Sequence, residues 1–202
     1  MKHEKTLIIA EAGVNHNGEI KNAFKLIDAA ANAGADLVKF QSFKAINLVT
    51  RDASKAEYQK KITDSSESQF EMIKRLELSH EDHVKLKNYC NKKEIGFFST
   101  GFDIESIDML MEFELSHIKI PSGEINNLPY LRHVAAKNKP VIMSTGMANL
   151  KEIGDALRVL VDAGLDKRDL CILHCNTEYP TPKEDVNLKA MLTIKEEYDV
   201  EI

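Results

Sequence analysis

Two lysines stand where a buried strand has little use for a charge. Lys39 lies in the run Leu37-Val38-Lys39-Phe40-Gln41-Ser42-Phe43, and Lys119 is flanked by Ile118 and Ile120. Side chains alternate along a strand, so Lys39 and Gln41 share one face while Val38 and Phe40 take the other, and Lys119 points away from its isoleucines. A cation inside a buried parallel strand is costly without an anionic partner. Hydroxyl-rich turns follow several such runs: Ser99 and Thr100; Ser122, Gly123 and Glu124; Ser144, Thr145 and Gly146; then His174 and Asn176. Singly, each hydroxyl is a turn or cap residue. Jointly, two buried lysines with hydroxyls and backbone amides at strand ends describe a site for a small, strongly anionic, phosphorylated molecule. The competing reading makes the lysines core ion pairs, with Glu11 as a partner for one of them.

Glu11 closes an apolar run, Thr6 to Glu11, and is followed by Gly13, Asn15, His16, Asn17 and Gly18. A buried strand has no use for a charge at its end unless something there needs it. His16 admits three roles: ligand, base, or turn residue tolerant of unusual backbone angles. His80 and His83, three apart beside Glu81 and Asp82, mimic a metal pair, but their charged helix makes the solvated reading the expectation. His117 and His133 carry no specific signal. Cys171 and Cys175 lie four apart in a predicted strand, about 13 Å at ~3.3 Å per residue, beyond disulfide reach. With Cys90 they read as three reduced thiols, two of them in or near the core.

The elements that must position these groups alternate. Six β-favouring runs, Thr6 to Glu11, Leu37 to Phe43, Gly96 to Phe102, His117 to Ser122, Pro140 to Gly146 and Asp169 to Cys175, are each followed by turn residues and helical periodicity. The first helix is expected over Lys21 to Ala33, with Ala23, Ile27, Ala30 and Ala31 on one stripe. Another starts at Ser79, where Asp82 completes a capping box, and runs to Lys92. A third spans Ala148 to Ala163 with Ile153, Leu157, Leu160 and Val161 on one face, and a last one covers Leu188 to Tyr198.

Such alternation demands parallel strands, hence an α/β class, either doubly wound or a (β/α)₈ TIM-type barrel. The absence of a G-x-G-x-x-G turn after the first strand and the polar strand ends favour the barrel. Six units do not close eight. The end at Tyr198-Asp199-Val200-Glu201-Ile202 resembles the approach to a seventh strand, so residues 1–202 are expected to form a single incomplete barrel domain, truncated after about six βα units. The long connection from Lys44 to Asp64, carrying Asn47, Arg51, Asp52, Lys55 and Lys60, has the length of a functional lid or a disordered segment.

Composition narrows the function classes. At 202 residues and 43% hydrophobic the chain can bury a core. Its net charge of -5 is spread through interleaved lysines and carboxylates, which argues against nucleic acid. The apolar run closed by Glu11 is too short for a signal segment or a membrane span, so a cytoplasmic protein is expected.

Six motifs, A-E-A-G-V-N-H-N-G, V-K-F-Q-S-F, F-F-S-T-G-F, I-K-I-P-S-G-E-I-N-N, I-M-S-T-G-M and L-H-C-N-T-E-Y-P-T-P, occur in this order. In that order and spacing they resemble the sialic acid synthase family, which includes the N-acetylneuraminate, legionaminate and pseudaminate synthases. The resemblance implies a transferase of sialic acid biosynthesis. Such an enzyme condenses phosphoenolpyruvate with an N-acylated amino sugar of the N-acetylmannosamine kind, releasing phosphate and a nine-carbon 2-keto acid. It implies a divalent metal, manganese or magnesium, and a homodimer in the complete enzyme. The motif lysines carry over to Lys39 and Lys119, which with Thr100, Ser122 and Ser144 would bind phosphoenolpyruvate. Gln41, Phe102, Glu124 and Tyr179 match positions near the sugar, and Glu11 matches the carboxylate that manages protons and the attacking water. The family's metal-binding histidines are expected beyond Ile202, so none is assigned in this chain, and its antifreeze-like C-terminal domain is likewise expected to be absent from residues 1–202. Asn176-Thr177 reverses the Thr-Asn of one branch, so the asparagine of that motif does not transfer.

Two further readings stand beside this one. Lys119 suits a Schiff-base nucleophile in a lysine-dependent aldolase, activated by a neighbouring Lys39. A catalytically silent anion- or sugar-binding module fits the lysines but leaves Glu11 without a purpose.

Overall fold

A computed structural model describes residues 6–51, 53, 68–178 and 180–202. The chain divides into two compact units, Lys5–Phe113 and Glu114–Ile202.

In the first unit the order is β1 (Ile9–Gly13), α1 (Ile20–Asn32), β2 (Leu37–Ser42), α2 (Ala45–Leu48), α3 (Gln69–Lys74), α4 (His80–Lys92), β3 (Gly96–Gly101) and α5 (Ile104–Met111). β2 pairs in parallel with both β1 and β3. The registers set Glu11 opposite Lys39 and Gln41 opposite Thr100, with an irregularity between Glu11 and Gly13 that bends the end of β1. α1 buries Ala23, Ile27 and Ala30, the spacing of one helical face. α4 begins as read: Ser79 accepts from the Asp82 amide while the Asp82 carboxylate accepts from the Ser79 amide, satisfying two orphan donors.

The second unit runs β4 (Ile118–Ile120), a 3₁₀ turn (Ser122–Glu124), α6 (Leu128–Ala135), β5 (Val141–Ser144), α7 (Leu150–Asp162), β6 (Leu170–Leu173) and α8 (Ala190–Tyr198). β5 pairs in parallel with β4 and β6. The parallel α/β class is therefore observed within each unit. The expected seventh strand makes a first contact, since Glu201 forms a parallel bridge to Cys171 and its carbonyl accepts from the Ile172 amide at 2.8 Å.

Several expectations change. The strands are shorter than the apolar runs: β2 ends at Ser42 rather than Phe43, β3 at Gly101 rather than Phe102, and β5 and β6 cover only four residues each, while β1 is shifted to Ile9–Gly13. Val161 is 41% exposed and Ala156 takes its place in the buried face of α7. α7 starts two residues late, at Leu150, because Asn149 and Glu152 form a capping box. The last helix also starts two residues late, at Ala190. Cys175 lies beyond the end of β6, and Cys90 is the fully buried thiol. Burial pushes the Cys90 thiol up to about 12. Of the Lys44 to Asp64 connection, only residues 44–51 and 53 lie within the described chain.

Candidate active site

In the first unit, alternation does what the sequence requires. Lys39 and Gln41 on β2 face the same way as Thr100 on β3. Lys39 Nζ donates to Thr100 Oγ1 at 3.3 Å and forms an ion pair with Glu11 Oε2. The Lys39 side chain is 13% exposed and that of Glu11 42%, so the carboxylate opens to solvent while the ammonium sits behind it. Gly13 makes room for this group. A Cβ built there lies 3.2 Å from Glu11 Oε1 and 3.5 Å from Gln41 Nε2, at a φ of +54° that disfavours any side chain. Glu11, Lys39, Gln41 and Thr100 are thus one cluster. Phe102 meets Phe43 edge to face, ring centroids 6.4 Å apart, beside the segment that starts at Lys44.

The second unit holds the other lysine. Lys119 is 6% exposed and donates to the Ile120 carbonyl at 2.8 Å and to Ser144 Oγ at 2.7 Å. Cys175 Sγ also donates to Ser144 Oγ, at 3.3 Å. Ser122 Oγ accepts from the Gly146 amide at 2.9 Å. This approach needs glycine, because a Cβ on residue 146 would lie 2.9 Å from Ser122 Oγ and 2.8 Å from Thr177 Cγ2. Glu124 accepts from Asn127 Nδ2 at 2.6 Å. Asn176 accepts from the Glu178 amide and His174 Nε2 donates to the Val186 carbonyl, so both act as local turn ties. Tyr179 lies outside the described residues.

A common proton logic links the hydroxyls. Thr100, Ser122 and Ser144 each accept a hydrogen bond from a protein donor. Each therefore keeps its own O–H to donate to an incoming acceptor. Within each unit, a lysine ammonium with such hydroxyls, Lys39 with Thr100 and Lys119 with Ser144 and Ser122, forms a donor set suited to phosphate or carboxylate oxygens.

Among the histidines, His83 is the one that departs from expectation. His16 Nδ1 accepts from the Gly18 amide at 3.0 Å, which puts the proton of the neutral ring on Nε2. Nε2 has no hydrogen-bond partner among the described residues. A protonated nitrogen is not a metal ligand, so with this tie in place His16 reads as the turn residue, beside Asn17 at a φ of +54°. Burial holds the His16 ring below the ordinary imidazole value. His83 corrects the solvated reading: it is 0% exposed, because Ser42 on β2 supplies a partner for Nε2 at 2.6 Å. His80 remains exposed and meets Glu112 at 3.1 Å. Among the described residues no group of three or more His, Cys, Asp or Glu side chains could hold a metal ion. The described residues thus offer no ligand set of their own for the expected divalent ion.

Sequence reasoning missed two supporting residues. Asp103 caps α5 through the Ser106 amide and also accepts from the Lys44 amide at 2.8 Å, tying the end of β3 to the segment after β2. Its signal was the three-residue spacing to Ser106. Cys175 was read as a core thiol, and nothing in its spacing pointed to Ser144.

A model described as the NeuB family matches residues 26–202. The chain belongs to the NeuB family. It is 53% identical over 199 residues to the N,N'-diacetyllegionaminic acid synthase of Campylobacter jejuni, covering 98% of this chain and 60% of that protein. To the enzyme of the same name from Legionella pneumophila it is 50% identical over 201 residues, covering 96% and 55%. Among solved structures, the N-acetylneuraminic acid (sialic acid) synthetase of Leptospira borgpetersenii, crystallised with citrate, aligns at a TM-score of 0.81 and 31% identity over 98% of this chain and 63% of that one. The sialic acid synthase resemblance of the six motifs is thereby borne out, while the chain spans 55% to 63% of the length of these relatives. No helix among the described residues is long and apolar enough to cross a membrane.

Proposed function

We propose that this NeuB-family chain carries the phosphoenolpyruvate-binding part of a (β/α)₈ enzyme that joins phosphoenolpyruvate to an N-acylated amino sugar. The observation that carries the reading is the repeated pairing of a lysine on a strand with a hydroxyl whose proton is free to donate: Lys39 with Thr100, and Lys119 with Ser144. On this reading Lys39 and Thr100 in the first unit, and Lys119, Ser122 and Ser144 in the second, serve as binding groups for the phosphate or carboxylate oxygens of phosphoenolpyruvate, while Gln41, Phe102, Glu124 and Tyr179 are the residues assigned to the sugar. The diacetyllegionaminic acid named for the two similar synthases makes a di-N-acetylated sugar the acceptor to set beside N-acetylmannosamine.

The chemistry runs through this chain's own side chains. The methylene carbon of phosphoenolpyruvate attacks the sugar aldehyde, a carbon–carbon bond forms, and the aldehyde oxygen takes a proton to become a hydroxyl. The carboxyl-bearing carbon is left cationic. Glu11, ion-paired with Lys39 and open to solvent, stabilises that charge and takes the proton of the water that captures it. Collapse of the resulting adduct breaks the bond to the phosphate oxygen and yields the 2-keto acid and inorganic phosphate. The lysines neutralise the departing phosphate.

The test is phosphate release from phosphoenolpyruvate by the full-length protein, with N-acetylmannosamine or its di-N-acetylated counterpart, with and without manganese. Release dependent on one of these sugars is expected. Phosphoenolpyruvate that neither binds nor reacts refutes the reading.

A further inference from the structure

We propose that His83 is a positioning residue for the Lys39–Thr100 half of the anion site, acting from the opposite face of the same two strands through Ser42 and Ser99. The proposal rests on the phosphoenolpyruvate reading for its functional consequence, but the relay itself is read from the structure. His83 Nδ1 lies 2.8 Å from the Ser79 carbonyl, which can only accept, so Nδ1 carries a proton. Burial holds the ring below its ordinary value and keeps it neutral. Nε2 is then an acceptor, and Ser42 Oγ at 2.6 Å must donate to it. Ser42 Oγ, its proton used, accepts from Ser99 Oγ–H at 2.7 Å. One donor direction runs from Ser99 through Ser42 and His83 to the N-terminal end of α4.

The placement of this chain of bonds matters more than its existence. Ser42 follows Gln41 and Ser99 precedes Thr100, and the register sets Gln41 opposite Thr100 and Phe40 opposite Ser99. Alternation therefore puts Ser42 and Ser99 on one face, directly behind Lys39, Gln41 and Thr100 on the other. The ends of β2 and β3 are tied in front by the Lys39–Thr100 bond at 3.3 Å and behind by the Ser42–Ser99 bond. All three rear groups are buried, among Phe40, Phe97 and Phe113. Apolar residues of the same volume would fill that space without polar groups to satisfy, and a fully bonded polar chain in such surroundings specifies one geometry rather than adding much stability. Its protons do not reach the front face, so its role is to hold the two strand ends. Misplacement of a contact group by a fraction of an ångström is enough to weaken a charge-assisted bond to an anion.

The experiment compares His83→Leu, His83→Gln and Ser42→Ala in the full-length protein. Leucine fills the space without a polar atom, whereas glutamine keeps an acceptor for Ser42. Titration calorimetry with phosphoenolpyruvate alone is expected to show at least fivefold weaker binding for His83→Leu and Ser42→Ala, and recovery to within twofold for His83→Gln. Amide hydrogen exchange at Gln41 and Thr100 should rise about tenfold in the first two variants, with β5 unaffected. Unchanged exchange at these amides in a folded His83→Leu or Ser42→Ala protein overturns the proposal. So does faster exchange with wild-type phosphoenolpyruvate affinity. If the wild-type protein binds no phosphoenolpyruvate, the functional reading fails, and the exchange data alone decide whether the clamp exists. If His83→Leu does not fold, Ser42→Ala carries the test.

Discussion

Replacing Lys39 by alanine should do more than remove one contact. The ammonium donates to Thr100 and is ion-paired with Glu11. Loss of its charge-assisted bond to a bound anion weakens binding by about 1.5 to 3 kcal/mol. The same change leaves the Glu11 carboxylate uncompensated beside that anion. Two like charges about 6 Å apart, at an effective dielectric of about 40 for this half-open position, repel by ~1.4 kcal/mol. Together these predict phosphoenolpyruvate binding weaker by about 10² to 10³-fold in Lys39→Ala. The second term has a distinctive sign. Adding Glu11→Gln to Lys39→Ala removes the repulsion and should restore affinity about tenfold, although Glu11→Gln by itself depresses turnover. Calorimetry with phosphoenolpyruvate and no sugar isolates binding from chemistry. The restoration should shrink as salt is raised, because the screening length near 0.15 M is only about 8 Å. Equal affinities for Lys39→Ala and the double variant at low salt would refute the placement of Glu11 beside the anion. A Lys39→Ala protein that binds as wild type would refute the anion site itself.

Other outcomes follow from the same geometry. Gly146→Ala places a Cβ against Ser122 Oγ and Thr177, so phosphoenolpyruvate affinity should fall at least tenfold, while the urea midpoint, measured on the same protein, moves little; unchanged affinity would remove Ser122 from the site. Stability should also depend on pH through His16 and His83, whose folded values lie below the ordinary 6.5. Between the folded value and 6.5 the unfolded chain binds more protons, so the stability from these neutral rings is present above about 6.5 and is lost as pH falls below it. Urea unfolding at pH 5.5 and 7.5 should show this loss, reduced in His83→Gln; an equal loss in the variant would mean that His83 titrates normally.

The sequence alone determined the class, the order of elements and the strands on which Lys39 and Lys119 lie. Apolar runs separated by helical periodicity allow little but a parallel α/β arrangement, and a lysine between isoleucines has only one face to occupy. The opening of α4 was legible because a capping box is local: Ser79 and Asp82 need no distant partner. What the sequence could not determine was everything that depends on which strands are neighbours. Nothing in the spacing of Glu11, Lys39 and Thr100, 28 and 61 residues apart, states that they meet; the parallel registers of β1, β2 and β3 decide it. The same holds for Cys175 donating to Ser144. His83 is the clearest case. Its helix is charged and its neighbours are acidic, so its local pattern describes a solvated residue. Only the packing of α4 against β2 and β3 brings Ser42 to its ring and Ser99 to Ser42, and the burial of His83 is offset because both of its ring nitrogens find partners.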